Sequence, residues 1–278
     1  MAPSLTLTGV WVAFTTAEAP YTALRNVTLA VTGGEWLAIV GPNGGGKSTL
    51  ARVMAGLCPV SRGNIACDVP VAFVWQNPDA QIVGDTVRED IQFGLEATGA
   101  AASDMDSIVR DVLAQVGLNV APDTPTAALS GGQQQLLATA SSLALQPALI
   151  VFDEATSMLD PAARVRVLEA AKRLHNGGTT IVWMTQWLEE LAYADRVIAL
   201  ADGAIAYEGD PRAFLYGDDP PETDATNSSL TDCMSPCERL GFEVPFTVRL
   251  TRELLRLGAQ FSPLPMDPEQ WARCLESR

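Results

Sequence analysis

The sequence predicts an α/β protein with a mainly parallel sheet covered by helices. Short apolar runs alternate with segments of helical spacing along most of the chain. Two of these runs, 148–152 and 179–185, are apolar almost throughout, as strands buried on both faces must be. A chain of 278 residues suits a core of about 200 residues with a small appendage.

The elements follow in order. Residues 5–14 and 23–31 read as strands separated by a loop at 18–21. Residues 35–40 read as a buried strand running straight into a glycine-rich turn, followed by helix over 47–57 and strand over 71–75. From 86 to about 146 the character is helical, most clearly at 106–116 and 130–145. Asp160 is placed to cap a helix whose first residue is Pro161. Val165, Leu168, Ala171 and Leu174 then recur at helical spacing. The stretch 217–229 is acidic, contains proline and has almost no apolar residues, which is linker composition. Beyond it, Pro245 opens a pattern with Phe246, Leu250, Leu254 and Leu257 on one face, and Gly258 is placed to stop it. The division is therefore a main domain over 1–216, with a helical part at about 77–147, a linker at 217–229 and a module at 230–278. That module has too few apolar residues for its own core, so it packs on the main domain or on a partner.

A net charge of −15 disfavours non-specific binding to nucleic acid or to an anionic membrane. No apolar run reaches the roughly 18 residues of a membrane span, since 136–152 is broken by Ser141, Ser142, Gln146 and Pro147. The first residues lack a basic start and an apolar core, so no secretory signal is expected and a cytoplasmic location follows. The five cysteines (Cys58, Cys67, Cys233, Cys237, Cys274) read as reduced thiols; the pair Cys233 and Cys237 has no second pair or nearby histidine to complete a zinc site.

Gly41-Pro42-Asn43-Gly44-Gly45-Gly46-Lys47-Ser48, followed by Thr49, satisfies G-x4-G-K-[ST] between a buried strand and a helix. Glycines let successive backbone N–H groups turn inward around a β-phosphate, and the helix directs its positive end to the same place. Lys47 suits a bridge between β- and γ-phosphates, and the Ser48 hydroxyl suits Mg2+. Downstream, the apolar run at 148–152 ends in Asp153 and Glu154. Asp153 is placed to hold Mg2+ through water, and Glu154 to polarise the attacking water. Ser130-Gly131-Gly132-Gln133, at the start of a helix, is a second anion cradle. Two cradles with one catalytic carboxylate make sense if they serve different nucleotides.

These segments resemble the ABC ATPase family over roughly residues 3–216: the phosphate loop, Leu129-Ser130-Gly131-Gly132-Gln133, the strand ending in Asp153-Glu154, and Ser157-Met158-Leu159-Asp160. The resemblance implies a P-loop ATPase core with a RecA-like mixed sheet, an antiparallel β part and a helical subdomain. It also implies Mg-ATP as ligand and head-to-tail pairing, each ATP lying between one phosphate loop and the other chain's Ser130 cradle. Gln76 would then contact Mg2+ and signal to a membrane subunit, and Asp160 would work across the dimer seam. The stretch 75–96, the stretch 153–161 and the tail around Leu240-Gly241-Phe242 further resemble the ATPases of energy-coupling-factor transporters, importers of vitamins or transition-metal ions. That implies a peripheral protein on the cytoplasmic face of the membrane. Its partners would be a second ATPase subunit in a heterodimer, a transmembrane coupling protein and a substrate-binding membrane component. The C-terminal module would help hold the two ATPases together.

The sequence departs from the family pattern after the last buried strand, where Gln186 stands in place of a histidine that contacts the γ-phosphate. The single histidine, His175, reads as a surface residue at a helix end. No aromatic follows Phe14 to stack on adenine, since Thr15 and Thr16 come next, which leaves Trp11 or Tyr21 to serve. An arginine common shortly after the Ser130 cradle is here Leu136. These departures raise a second reading, an ATP-binding but weakly hydrolysing structural or regulatory subunit of an asymmetric heterodimer. A third reading, a soluble ABC protein acting on DNA or ribosomes, conflicts with the charge and with the lack of a coiled-coil insertion.

Overall fold

The computed structural model describes residues 3–15, 20–98, 101–217 and 234–276. Nine strands and nine α-helices are assigned in these segments. In order they are β1 (Pro3–Thr15), β2 (Pro20–Thr32), β3 (Trp36–Val40), α1 (Lys47–Met54), β4 (Arg62–Cys67), β5 (Val71–Val74), α2 (Val87–Thr98), α3 (Ala102–Val116), α4 (Gly131–Ala144), β6 (Leu149–Asp153), α5 (Pro161–Asn176), β7 (Thr180–Thr185), β8 (Arg196–Ala201), β9 (Ala204–Gly209), α6 (Pro211–Tyr216), α7 (Pro236–Arg239), α8 (Phe246–Arg256) and α9 (Pro268–Glu276).

A six-stranded sheet runs in the order β5-β6-β7-β3-β8-β9, parallel throughout except for β9. Every residue of β3, β6 and β7 is buried, which explains why those segments read as continuous apolar runs. Their register places Val40 opposite Thr185 and Asp153 opposite Met184, so three strands end at one edge of the sheet. A smaller antiparallel sheet, β2-β1-β4, packs over one face and shares a core with α1 through Leu7, Val10, Leu29, Leu50 and Val53. The opposite face carries α2, α3, α4 and α5 over a second core that includes Phe152, Trp183, Ile91 and Leu137.

The C-terminal module packs on the main domain. Cys237, Val244, Val248 and Met266 join Ala38, Val40, Phe214 and Tyr216 in a third core. Arg252 donates to the Leu215 carbonyl at 2.6 Å and to Glu238 at 3.0 Å, and the Tyr216 hydroxyl donates to the Pro265 carbonyl. The face of α8 that packs here is Thr247, Val248 and Thr251. The leucine stripe reads differently from its sequence pattern: Phe246 and Leu257 are exposed.

Other differences are local. The helix after the phosphate loop stops at Met54, where Gly56 takes a left-handed φ of +71°. Strands β4 and β9 escape a reading by apolar pattern because neither has a fully buried residue, and most of β4 faces solvent. His175 is only partly exposed: its ring meets Trp36 edge-on and its Nε2 lies 3.6 Å from Asp195. Thr16, residues 18 and 19 of the 18–21 loop, all of the 217–229 linker except Gly217, and Cys233 lie outside the described residues, while Pro20 and Tyr21 open β2.

Phe214 is fully buried and touches both Tyr207 of β9 and Phe242 of the C-terminal module. Phe214→Ala is therefore expected to cost about 3–5 kcal/mol of stability, read from denaturant unfolding of the intact chain.

Candidate functional site

Strand β3 delivers the chain to Gly41, where a Cβ would lie 2.7 Å from the Leu200 carbonyl oxygen, so only glycine fits. The loop closes with Gly45 N–H donating to the Pro42 carbonyl at 3.0 Å. Gly46, the residue before α1, takes φ +100°, and a Cβ there would sit 2.7 Å from the Ala23 carbonyl. Asn43 and Gly44 face solvent at the mouth, and Ser48 and Thr49 open the helix.

The acidic strand end meets this loop. Ser48 Oγ donates to Asp153 Oδ1 at 2.9 Å, joining residues 105 apart in the chain. Lys47 Nζ donates to the carbonyls of Gly41 at 2.8 Å and Pro42 at 3.3 Å, and lies 3.1 Å from Glu154 Oε1. Glu154 holds a left-handed φ of +50°, a conformation that costs a non-glycine residue of order 1–3 kcal/mol. Its other oxygen, Oε2, accepts from Gln186 Nε2 at 2.7 Å. Lys47, Glu154 and Gln186 thus form one chain of contacts at the carboxyl ends of β3, β6 and β7. Burial pushes the Asp153 carboxyl above its ordinary value; the Ser48 donation and the nearby Arg52 oppose that rise.

Two hard oxygen donors, Ser48 Oγ and Asp153 Oδ1, sit side by side at this edge, a donor set that suits Mg2+. Gln76 Nε2 donates to Ser157 Oγ at 3.0 Å, tying the segment after β5 to the segment after Glu154. Tyr21, one of the two aromatics left to stack on adenine, donates from its hydroxyl to the Gly44 carbonyl at 3.1 Å. Trp11 lies instead in the β1–β4 pairing opposite Arg62.

The second cradle is built but stands apart from these contacts. Ser130 caps α4, its Oγ accepting from Gln133 N–H at 3.4 Å while Gln133 Oε1 accepts from Ser130 N–H at 2.9 Å. Gly132 packs against α5, where a Cβ would come within 2.6 Å of Ala163 Cβ, and Gly131 approaches Leu159. Asp160 accepts from the N–H groups of Ala162 and Ala163, both at 2.9 Å. Ser130 and Gly131 remain exposed. A residue that motif reading passed over, Thr156, extends this region inward through a hydrogen bond to buried Glu190.

A glycine-cradled lysine, a serine–aspartate pair and a second exposed cradle on one P-loop core define an ATP-binding cassette of the ABC transporter type. The family model described as ABC transporter matches residues 24–157. The energy-coupling factor transporter ATP-binding protein EcfA1 of Halalkalibacterium halodurans is 35% identical over 266 residues, 91% of this chain and 90% of that protein. EcfA1 of Bacillus licheniformis is 40% identical over 255 residues, covering 87% and 85%. Among solved structures, cbiO1 of Clostridium perfringens, part of the ABC transporter complex cbiONQ, aligns with a TM-score of 0.69 at 26% identity, covering 76% of this chain and 90% of that one. A dimeric ATP-binding cassette in a post-hydrolysis state, bound to ADP and Pi, also aligns with a TM-score of 0.69 at 26% identity, covering 76% and 100%. The chain belongs to the energy-coupling factor transporter ATP-binding proteins. Among the described residues no helix is long and apolar enough to cross a membrane.

A carboxyl raised by burial favours folding while protonated and withdraws that favour as pH climbs from the unfolded-state value, about 3.9, through the folded one. At pH 7 the ionised Asp153 is therefore a cost to the nucleotide-free protein. Asp153→Asn is expected to raise the melting temperature without ligand and to remove the Mg2+-dependent gain with ATP, both read by thermal unfolding.

Proposed function

We propose that this chain is the ATP-hydrolysing motor of an importer for a vitamin or a transition-metal ion. It would work at the cytoplasmic face of the membrane with a second ATPase subunit, a transmembrane coupling protein and a substrate-binding membrane component. The observation that carries the hydrolytic part is Glu154, held between Lys47 and Gln186 beside the Ser48–Asp153 pair.

The loop N–H groups and Lys47 would bind the β- and γ-phosphates, with Gly41 to Gly46, Ser48 and Thr49 forming the wall. Ser48 and Asp153 would hold Mg2+, which neutralises charge developing on the phosphates. Lys47 is now paired with Glu154, so a triphosphate must compete for its ammonium. That exchange releases a carboxylate oxygen to accept a proton from water. Gln186 keeps the other oxygen in place. Tyr21, hydrogen-bonded to the loop, is the better placed aromatic for the adenine face. Gln76, through Ser157, would relay the state of the site toward a membrane subunit, and exposed Val83 and Phe93 offer apolar surface for that contact.

Exposed Ser130 and Gly131 support head-to-tail pairing, since a cradle outside its own chain's site is of use to a second nucleotide. Asp160, which caps α5 at the same surface, would lie along that seam. The exposed Phe246 of α8 and Leu257 just after it support a role for the 230–278 module in holding two ATPases together. The regulatory reading is not favoured: the relatives are described as transporter ATP-binding proteins, and Lys47, Asp153 and Glu154 are all in place.

Two substitutions test this in the assembled transporter. Glu154→Gln is expected to retain Mg-ATP and lose about 10²–10⁴ in turnover, by steady-state phosphate release and nucleotide retention. Loss of both together, or of neither, would remove Glu154 from the role of base. Gln186→His restores a group able to carry charge and is expected to raise turnover by about tenfold. An unchanged rate would show that this position does not limit hydrolysis.

A further inference from the structure

Glu190 lies on a 3-10 turn after β7, with 2% of its surface exposed. Nothing in the ATPase chemistry described above uses it, yet its carboxylate is the most heavily bonded in the neighbourhood of the site. Oε1 accepts from the Thr156 hydroxyl at 2.8 Å. Oε2 accepts from the Trp183 indole N–H at 2.8 Å and from the Thr185 hydroxyl at 2.5 Å. The Thr185 hydroxyl in turn accepts from the Trp187 backbone N–H at 3.0 Å. Arg164, from the first turns of α5, approaches Oε1 at 3.9 Å and lays its guanidinium over the Trp187 ring at 3.7 Å.

These partners belong to two segments. Thr156 lies within, and Arg164 just beyond, the stretch that leads from Glu154 through Ser157 to Asp160. Thr185 and Trp187 flank Gln186. One carboxylate therefore ties the residue two positions after Glu154 to the residues on either side of Gln186, and those two side chains meet at 2.7 Å. We propose that Glu190 is a positioning residue for hydrolysis: by clamping the Thr156 segment to the Thr185–Trp187 segment, it holds Gln186 against Glu154.

A residue that only filled space here would be better made of carbon. Burial raises the Glu190 carboxyl, and the donations from Thr185, Trp183 and Thr156 and the charge of Arg164 pull against that rise. Leucine or methionine would fill the same volume without leaving a charge to satisfy. The carboxylate supplies what they lack, acceptors for donors on two different segments. The contact it governs also needs close tolerance, because misplacing a catalytic group by about 1 Å can cost about 10² in rate.

This inference rests on the roles given to Glu154 and Gln186 under the proposed function, and the test separates the two. Steady-state ATP hydrolysis of the assembled transporter is measured for wild type, Glu190→Gln, Gln186→Ala and the double variant. Glu190→Gln keeps shape but cannot serve all three donors, and is expected to lower kcat by about tenfold with KM for ATP within about twofold. In the Gln186→Ala background the same change should alter kcat by less than about twofold, because the residue it positions is gone. Thr156→Val removes one strand of the clamp at nearly constant volume and is expected to lower kcat by about three- to fivefold. It carries the test alone if Glu190→Gln does not fold. Equal losses of kcat in both backgrounds, or a lower melting temperature with kcat unchanged, would overturn the positioning role. No hydrolysis by the wild-type assembly would count against the ATPase reading instead.

Discussion

Lys47 brings an ammonium group to a place where only 4% of its side chain reaches solvent, and the 3.1 Å contact with Glu154 is what makes that tolerable. Glu154 is itself 8% exposed, so each charge is the other's main source of solvation. Removing one partner of such a pair typically costs about 3–5 kcal/mol, because the survivor stays buried and unpaired. In the nucleotide-free protein the lysine proposed to bind phosphate and the carboxylate proposed to accept a proton therefore hold each other. A γ-phosphate is the natural competitor for Lys47. On the proposed roles, loading of the site and release of the base would be one event, with the carboxylate occupied until there is something to hydrolyse.

That pairing depends on strand geometry. Lys47 follows β3 and Glu154 follows β6, yet the two strands are not neighbours: β7 lies between them and carries Gln186 at its own end. Parallel direction and matched register bring all three strand ends to one edge. The left-handed backbone at Glu154 then turns its side chain across the end of β7 toward the loop. A one-residue slip of β6 against β7 would point the Asp153–Glu154 pair to opposite faces. Close packing on both faces opposes it, since a slipped register would exchange Leu149 and Val151 with Ile150 and Phe152 between two cores built around different neighbours.

Sequence reading reached the chemistry of this site more readily than its contacts. Glycines, lysine and paired acids are legible because each is a residue type demanded by phosphate or water at a fixed spacing, and the structure places them together. Gln186 was legible as a departure, but its partner was not, since nothing in the chain signals that it meets Glu154. Glu190 left no trace for a related reason. An acid beside Glu189 in a short turn looks solvated, and only the fold shows it buried among hydroxyls and an indole. The leucine pattern of α8 misled about direction: amphipathic spacing marks an apolar stripe, not the partner that covers it. Here threonines and a valine face the core instead. Edge strands such as β4 have little buried surface, and so little pattern to read.

The two cradles place opposite demands on the structure. The phosphate loop is enclosed, with Lys47 buried and Gly41 and Gly46 hemmed in by carbonyls, as a site that must exclude water requires. The Ser130 cradle is pre-shaped by its capping box yet exposed, with Gly132 fixed against the start of α5 and Asp160 capping that same helix. An ordered helix N-terminus left open to solvent gains nothing for its own fold beyond the cap. Its rigidity suits the nucleotide proposed to be presented by a second chain. Because α5 begins at Asp160, and Thr156 ahead of it is bonded to Glu190, a few packed residues connect the exposed cradle with the enclosed site. Closure of two such chains around nucleotide would then be felt at Gln186 and Glu154 through contacts already formed in one subunit.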